Sequence, residues 1–470
     1  MMFSTSMLTP LIINIIFAEN FWMPFVAASC CTAFIGFGLW FSCRFQHNEL
    51  KVHDGFLLVV LFWVVLSFFA SLPLIFAIWT YNHSITDAVF ESVSGFTTTG
   101  ASIINNLDDL PHSILFYRQQ LQFLGGMGIV VLAIAILPML GIGGMQLYRA
   151  ETPGPMKDSK LTPRIAQTAK ALWSIYLFFT LGCMLCYWLA GMNWFDALGE
   201  SFATISTGGF SMHNTNFSYY HSNLIKIIAC FFMLLGGTNF GLHFLVFQKK
   251  DIFQYFRNEE FKTYIIFLFL TITLVALSLV GYKYLYNPQL AFLDSAFNVI
   301  SMVTTTGFIS TPFDTWPTFL PILLLLLSIL GGCAASTSGG IKFLRAILIF
   351  KHCKRETARL LHPHAVIPIK FSRHTLPESV LQSTWAFVFV FIALFFILIL
   401  LLMALNNDFI TSFSASLASL TNSGIGIGKV NYNFSDLNQA SKWILIFAMI
   451  AGRLEIFSLL VLFSRYFWIK

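Results

Sequence analysis

Long apolar stretches, separated by short polar connections, dominate the pattern of residues along the chain. Many of them approach the roughly 20 residues that a membrane-spanning helix needs. They lie near residues 6–17, 22–43, 56–80, 115–147, 171–191, 224–247, 263–282, 318–350, 384–405 and 441–467. The pattern predicts ten helical crossings, the first of them short, in an all-α polytopic membrane protein.

Four short polar segments interrupt this apolar pattern, each just before a further apolar run. They read SGFTTTGAS (Ser94–Ser102), ATISTGGFS (Ala203–Ser211), MVTTTGFIS (Met302–Ser310) and SLTNSGIGIG (Ser419–Gly428). Glycine accepts left-handed φ values, so successive carbonyl groups in such a segment can point the same way. Four loops of this kind can surround an ion path and replace the hydration shell of a cation. One isolated TTG would favour close helix packing, but four in register predict a cation-conducting protein.

Each polar segment belongs to a repeated module: an apolar helix, a half-length helix, the glycine, a loop and a second apolar helix. Asp87, Asp196 and Asp294 each lie thirteen residues before their glycine, where an acid can cap a helix N-terminus. The fourth module has Thr411 at that offset and Asp408 three residues earlier. Further on, the motifs Leu124–Gly126, Leu235–Gly237, Leu330–Gly332 and Ile450–Gly452 recur. The modules predict tandem repeats around a single pseudo-fourfold pore.

The repeats divide the chain into five units, and its composition places them in a bilayer. A pair of N-terminal helices, residues 1–55, precedes pore repeats at residues 56–150, 151–260, 261–370 and 371–470. Apolar residues make up 57% of the chain and charged residues only 10%. These values lie far from those of soluble domains.

The charged residues predict the orientation of the chain in the membrane. Of the 27 Lys and Arg, 21 lie in the connections of one side and 5 in those of the other. By the positive-inside rule both termini are cytoplasmic, and the four polar segments dip in from outside. Eleven of the 21 Asp and Glu lie on the outer side, which predicts a negative mouth that attracts cations, although these acids equally suit short hydrated loops.

Several longer strings add to the polar segments. They include RQQLQFLGGMGIVVLAIAILPMLGIGGMQLYRAE (Arg118–Glu151), PGPMKDSKLTPRI (Pro153–Ile165), GGCAASTSGGIK (Gly331–Lys342) and GRLEIF (Gly452–Phe457). Together they resemble the Trk/Ktr/HKT superfamily of potassium transporters, and specifically the bacterial Trk-type potassium uptake subunit. The resemblance covers nearly the whole chain and implies potassium uptake across the bacterial cytoplasmic (inner) membrane.

The resemblance implies that backbone carbonyl groups of four filter segments select potassium, which is the transported substrate; no cofactor is expected. The filter residues are Thr98, Thr99 and Gly100; Thr207, Gly208 and Gly209; Thr305, Thr306 and Gly307; and Asn422, Ser423 and Gly424. In this superfamily a serine in place of the first-module glycine accompanies sodium permeation. Gly100 therefore favours potassium selectivity.

A run of small residues is the first candidate for a gate. Gly331–Gly340 lies within an apolar stretch of about 33 residues, longer than one crossing requires. Small residues permit a helix break, and the resemblance implies an intramembrane loop that gates beneath the filter; tight helix packing is the alternative. The gating residues that the resemblance implies in this loop are Gly331, Gly332, Ser336, Ser338, Gly339 and Gly340.

Arg453 is the second candidate, because it lies deep in an apolar run. An unpaired arginine at the centre of a membrane helix costs about 2.5–3.5 kcal/mol by insertion scales. The i, i+2 spacing from Glu455 puts these two residues on different faces of a helix, which disfavours a structural pair. Arg453 is therefore predicted to face the pore as a positive constriction below the filter, as the resemblance also implies.

The connection from Lys342 to Arg373 carries eight cations and is either a solvated inner loop or a docking surface. The resemblance implies that a cytosolic nucleotide-binding ring docks on this side and that the protein is a homodimer. The chain has no P-loop and no strand-borne G-x-G-x-x-G, so nucleotide control would come from that partner. No nucleic-acid partner, metal site or disulfide framework is expected.

Two other functions stay open at this point. A gated passive channel without proton coupling would use the same pore. A polytopic membrane enzyme, such as a haem oxidase or a lipid transferase, is disfavoured because nearly all of the eleven His lie in connections. The expectation is therefore a transporter and not an enzyme.

Overall fold

The protein is a bundle of α-helices, as the apolar pattern predicts. A computed structural model describes residues 2–45, 52–77, 84–131, 161–285, 287–317, 319–372, 374–463 and 465. The helices are α1 (Met2–Ser6), α2 (Pro10–Ile16), α3 (Met23–Cys43), α4 (Val52–Ala70), α5 (Leu72–Phe76), α6 (Ile85–Phe96), α7 (His112–Val131), α8 (Leu161–Leu189), α9 (Trp194–Ser206), α10 (Asn223–Gly236), α11 (Phe240–Lys249), α12 (Gln254–Arg257), α13 (Glu259–Gly281), α14 (Pro288–Val303), α15 (Leu320–Leu327), α16 (Phe343–Leu361), α17 (Glu378–Ala404), α18 (Phe409–Leu420), α19 (Gln439–Arg453) and α20 (Phe457–Phe463). A two-residue antiparallel hairpin pairs β1 (Lys370–Phe371) with β2 (His374–Thr375).

Several of these helices have the length and apolarity of membrane crossings. Among the described residues five qualify: Met23–Cys43, Asp54–Phe76, Ala169–Leu189, Glu259–Gly281 and Glu378–Ala404. A sixth candidate is the pair α10 and α11, whose axes are bent by 93° at the break between them. The protein is therefore a multi-pass membrane protein with broken as well as continuous crossings.

Other predicted crossings are interrupted. The first one consists of the two short helices α1 and α2. The run at 318–350 is split between α15 and α16, and the run at 441–467 between α19 and α20. Residues 132–160, which include parts of the run at 115–147 and of the basic connection 148–170, lie outside the described residues. The boundaries of the five units stay a prediction.

Each repeat contains one short helix that ends directly before its filter segment: α6, α9, α14 and α18, which we call the pore helices. Asp87 belongs to a capping box at the start of α6, where Ser84 accepts from the Asp87 amide at 3.2 Å and Asp87 accepts from the Ser84 amide at 3.0 Å. In α9 the cap is Asn193, which accepts from the amide of Asp196 at 2.7 Å. The predicted acids thus lie in the first turn of both helices, next to the positive end of the helix dipole.

The third pore helix differs from the expectation, and the fourth is capped by the acid three residues before the common offset. The prediction that Asp294 caps a helix is wrong, because α14 is longer and begins after Asn287, which is its cap. Asp294 instead lies in the second turn and pairs with Lys226 of the preceding repeat at 2.8 Å. Asp408 caps α18 by accepting from the amide of Thr411 at 3.0 Å. The constant offset from the glycine therefore marks ion pairing as much as capping.

The recurring glycine motif has a packing reason in three repeats. A Cβ there would crowd the carbonyl oxygen of a residue at the end of the pore helix: Gly125 faces Phe96, Gly236 faces Ile205, and Gly452 faces Leu420. Only glycine lets the second helix of the repeat approach this closely. The contact fixes the end of the pore helix, where the filter begins.

Candidate ion pathway

The four filter segments share one backbone conformation. Their first residues are left-handed although they are not glycine: φ is 52° at Thr98, 51° at Thr207, 54° at Thr305 and 56° at Asn422. Their last residues are glycines with φ of 83° at Gly100, 79° at Gly209, 80° at Gly307 and 69° at Gly424. Left-handed threonine is uncommon and costs on the order of 1–3 kcal/mol, so its repetition marks a site that the surrounding fold enforces.

The filter segments touch one another in a closed ring. Each final glycine lies so close to a carbonyl oxygen of the next segment that an added Cβ would overlap it. The pairs are Gly100 with Gly208, Gly209 with Thr306, Gly307 with Ser423, and Gly424 with Thr99. The fourth contact returns to the first segment. The sequence-predicted filter residues are therefore brought together, with one carbonyl group from each repeat in the ring.

Hydroxyl pairs brace three of the segments. The side chain two residues before the ring carbonyl bonds to the side chain at the carbonyl: Thr97 to Thr99 at 2.7 Å, Thr304 to Thr306 at 2.7 Å, and Thr421 to Ser423 at 3.0 Å. The second segment has Gly208 at this place and cannot form the pair. Gln122 of α7 takes over: its amide donates to the Gly208 carbonyl at 2.6 Å and its oxygen accepts from the Phe210 amide at 3.2 Å.

We expect Gln122 and Gly208 to be coupled. Gln122→Ala removes a buried hydrogen bond worth on the order of 1 kcal/mol, and Gly208→Ser places a Cβ only 2.5 Å from the side-chain carbon of Gln122. Each change should lower the midpoint of thermal unfolding. The double variant should recover part of the loss, because the shortened side chain leaves room for a serine hydroxyl. Strictly additive losses would contradict the coupling.

Two buried acids support the filter from behind, and the sequence analysis missed their role. Glu91 accepts from the Ser102 hydroxyl and the Ile103 amide, both at 3.0 Å. Glu200 accepts from the Ser211 hydroxyl at 2.8 Å and the Met212 amide at 2.9 Å. Both acids lie nine residues before the final glycine of their segment, and both serines lie two residues after it. That shared spacing was a signal in the sequence.

Arg118 on α7 connects the first two repeats. Its Nε donates to Glu91 at 2.7 Å, with both side chains at most 2% exposed. The same guanidinium donates to the carbonyl of Ser211 at 3.4 Å and lies 4.2 Å from the ring centre of Phe210. A buried ion pair of this kind holds its geometry because breaking it leaves an uncompensated charge. The first two filter segments are therefore held at a fixed separation.

Above the ring, the four final glycines open into a cavity of about 320 Å³. Asparagine side chains bridge neighbouring repeats around this mouth. The side-chain oxygens of Asn214 and Asn216 accept from the amides of Leu107 (2.8 Å) and Ile309 (3.3 Å). The side-chain amides of Asn431 and Asn433 donate to Asp314 (2.8 Å) and to Asn105 (2.5 Å). These bonds join all four repeats and cover the filter with amide groups.

The carboxylates near the mouth are largely engaged in pairs, which differs from the expected negative lining. Asp87 pairs with Lys442 at 2.7 Å, which joins the first repeat to the fourth. His213 lies between Asp108 at 2.8 Å and Asp196 at 3.1 Å. Burial lowers the pKa of His213, but the hydrogen bonds to Asp196 and Asp108 outweigh it, and the pKa is raised above its usual value. The acids thus connect repeats more than they charge the cavity.

The intramembrane loop lies against the filter, on the side of the pore-helix ends. Thr337 donates to the carbonyl of Gly236 at 2.9 Å and accepts from Thr207 at 3.1 Å. The Gly339 amide donates to the hydroxyl of Thr305 at 2.7 Å. A Cβ at Gly339 would also overlap the carbonyl oxygen of Thr421. The loop therefore reaches three of the four repeats at their filters, and its backbone is not helical.

Arg453 is buried, 3% exposed, and contacts this loop. Its Nη1 donates to the carbonyl of Thr337 at 2.8 Å. Its Nε and Nη2 are buried without a hydrogen-bond partner among the described residues. Glu455 does not pair with it and binds Arg345 of α16 at 2.5 Å, which agrees with the predicted separation of these residues. The two candidates for a gate, predicted separately, are thus in direct contact.

Comparisons with known proteins agree with this architecture. Residues 22–467 match the TrkH family, described as a cation transport protein. The Trk system potassium uptake protein TrkH of Escherichia coli strain K12 is 46% identical over 99% of this chain and 96% of its own length. The TrkH of Halomonas elongata is 47% identical over 100% of this chain and 97% of its own length. The crystal structure of the potassium transporter TrkH from Vibrio parahaemolyticus superimposes with a TM-score of 0.93 at 44% identity, covering 100% of this chain and 97% of that one.

Proposed function

Since the chain belongs to the TrkH family of cation transport proteins, we propose that it takes up potassium through the ring of four filter segments. The observation that carries the proposal is the closed set of contacts from Gly100 round to Gly424. One backbone carbonyl from each repeat faces the neighbouring glycine. Such carbonyls can replace the water that a potassium ion loses on entering a narrow pore.

The pore helices favour a cation at this ring. They contain 12, 13, 16 and 12 residues, so at 1.5 Å per residue each spans roughly 18–24 Å. Each ends immediately before its filter segment, so the negative end of its dipole is close to the ring. The oriented dipoles lower the free energy of a dehydrated monovalent cation without placing a carboxylate in its path.

The intramembrane loop and Arg453 act as the gate in this proposal. The loop covers the filter through Thr337 and Gly339, and Arg453 fixes the loop by its bond to the Thr337 carbonyl. Two of the guanidinium nitrogens of Arg453 have no hydrogen-bond partner among the described residues, and the third donates to a neutral carbonyl group. An ion that leaves the filter meets a positive charge and a closed loop together.

The orientation and the partners follow the same proposal. Both termini face the cytoplasm, the protein lies in the bacterial inner membrane, and the filter opens to the outside.

A cytosolic nucleotide-binding ring docks on α16, whose end exposes Leu360, Leu361 and the basic Arg359. The active form is a homodimer without a resident cofactor, nucleic-acid partner or enzymatic activity. Exchanging residues 350–361 of this chain for serine tests the docking surface. The variant should capture less of a nucleotide-binding subunit in a pull-down than the parent protein does.

Ion uptake into liposomes tests the proposed function. The purified protein should accumulate rubidium-86 in potassium-loaded vesicles, and external potassium should block this uptake at concentrations where sodium does not. Equal block by both ions would contradict a potassium-selective filter. The same vesicles with and without an imposed pH gradient distinguish proton-coupled uptake from passive conduction.

A further inference from the structure

A second cation, Lys342, holds the intramembrane loop. Its Nζ donates to the carbonyl of Ser336 at 3.3 Å and also to the carbonyl of Ser338. Arg453 binds the carbonyl of Thr337, which lies between them. Three consecutive loop carbonyls are therefore held by two side-chain cations. Such a set of carbonyl oxygens is also the kind of ligand that a potassium ion prefers.

The position of Lys342 is unfavourable for a residue with only a structural role. Its φ of 76° lies in a region that residues other than glycine rarely adopt. It directly precedes the first turn of α16, where the positive end of the helix dipole disfavours a cation. The side chain is also buried, with only 9% of the residue exposed. Strain, dipole and burial all oppose this arrangement, so other interactions must enforce it.

Lys342 also connects the loop to the last pore repeat. One turn further along α16, Arg345 binds Glu455 at 2.5 Å. Glu455 lies at the break between α19 and α20, two residues after Arg453, and has a φ of 53°. The start of α16 is thus tied to the loop by Lys342 and to the break after α19 by Arg345. A displacement of α16 would pull on both sets of contacts.

We propose that Lys342 is a positioning residue of the gate: its ammonium group competes with the permeating ion for the carbonyls of Ser336 and Ser338, and so keeps the loop closed. This inference rests on the proposed role of the loop as the gate. Arg453, at the end of α19, binds the carbonyl of Thr337 in the middle of the loop. Lys342 follows the C-terminal end of the loop and binds the carbonyls on either side, those of Ser336 and Ser338. Opening requires Lys342 to release the carbonyls, which movement of α16 can produce.

Neutralising Lys342 should therefore raise the basal flux. Lys342→Met keeps an unbranched side chain that is one atom shorter and removes the donors and the charge, whereas Lys342→Arg keeps both. We expect rubidium-86 uptake by the protein alone to rise about tenfold in the methionine variant and to stay within about twofold of the parent in the arginine variant. The half-saturating rubidium concentration and the preference for potassium over sodium should not change, because both are set at the filter. Equal basal rates in the methionine variant and the parent would overturn the inference.

Hydrogen exchange gives a second readout that does not depend on reconstitution. In Lys342→Met the amides of residues 331–340 should exchange at least tenfold faster than in the parent, while those of the pore helices α6 and α18 stay unchanged. Unchanged exchange in the loop would overturn the inference even where flux could not be measured. A general loss of protection would do so too, because it would show a purely structural role.

Arg453→Gln, measured in parallel, distinguishes this inference from the gate proposal itself. Faster flux in Arg453→Gln with parental flux in Lys342→Met would leave the loop as the gate and remove Lys342 from it. If neither variant changes flux or loop exchange, the loop is not the gate and both proposals fail. Faster flux in both variants supports both.

Discussion

Serine in place of Gly100 will let sodium compete with potassium for uptake. Gly100 has a φ of 83°, and its Cα faces the carbonyl oxygen of Gly208 so closely that any Cβ overlaps it. The serine must therefore push that carbonyl away or move its own segment out of the ring. Because the ring is closed, the displacement changes the spacing of oxygens that replace the hydration shell of potassium. A loss of about 1.4 kcal/mol of discrimination corresponds to a tenfold lower preference for potassium, which is the smallest effect we expect.

Competition by external sodium against rubidium-86 uptake measures this change. Gly281→Ser is a matched control, because Gly281 ends α13 with nothing within 4 Å of an added Cβ and without a left-handed φ. The control should keep the preference of the parent. If Gly100→Ser transports normally and still discriminates against sodium like the parent, the ring does not select the ion.

Arg453→Gln should raise the rate of uptake in the absence of any partner. The change removes a buried positive charge and weakens the bond to the Thr337 carbonyl that holds the intramembrane loop. At an effective dielectric constant of 20, a unit charge roughly 8 Å from a potassium ion raises its energy by about 2 kcal/mol. Removing that repulsion corresponds to a flux increase of more than tenfold if exit below the filter limits the rate.

Rubidium-86 uptake by the protein alone measures this effect, and the ion preference is recorded in the same vesicles. Arg359→Gln on the exposed part of α16 is the control for loss of one positive charge, and it should behave like the parent. An unchanged rate in Arg453→Gln, with normal folding, would leave Arg453 with a structural role only. A faster but non-selective flux would mean that the substitution had disturbed the filter itself.

The shared backbone conformation of the four filter segments could be predicted from the sequence, because the same pattern of residues occurs four times. The glycines at Gly100, Gly209, Gly307 and Gly424 recur in equivalent apolar surroundings, and each needs the backbone freedom that the structure uses. Arg453 and Glu455 are separate as predicted, although not through helical spacing, because α19 ends at Arg453 and Glu455 lies in the break that follows. The pattern of the filter segments depended on distances along one segment, which a sequence contains directly.

The sequence did not show which residues of one repeat bind residues of another. Asp294 has the same offset from its glycine as Asp87, yet it pairs with Lys226 because α14 starts earlier than the other pore helices. Gln122 braces Gly208 from a different repeat, in place of the hydroxyl pair found in the other three segments. Such contacts depend on how the repeats pack, and no periodicity within one repeat specifies them. The nine-residue spacing from Glu91 to Gly100, repeated from Glu200 to Gly209, is a signal of the buried acids that the sequence does contain.

Diffraction from crystals grown in rubidium would show whether one carbonyl group from each repeat binds the transported ion. We expect an anomalous peak on the axis of the ring, within coordination distance of the carbonyl oxygens of Thr99, Gly208, Thr306 and Ser423. Crystals of Gly100→Ser should show a weaker peak at that place. Rubidium bound elsewhere, with no peak at the ring in the parent protein, would mean that the ring of carbonyl groups does not bind the ion.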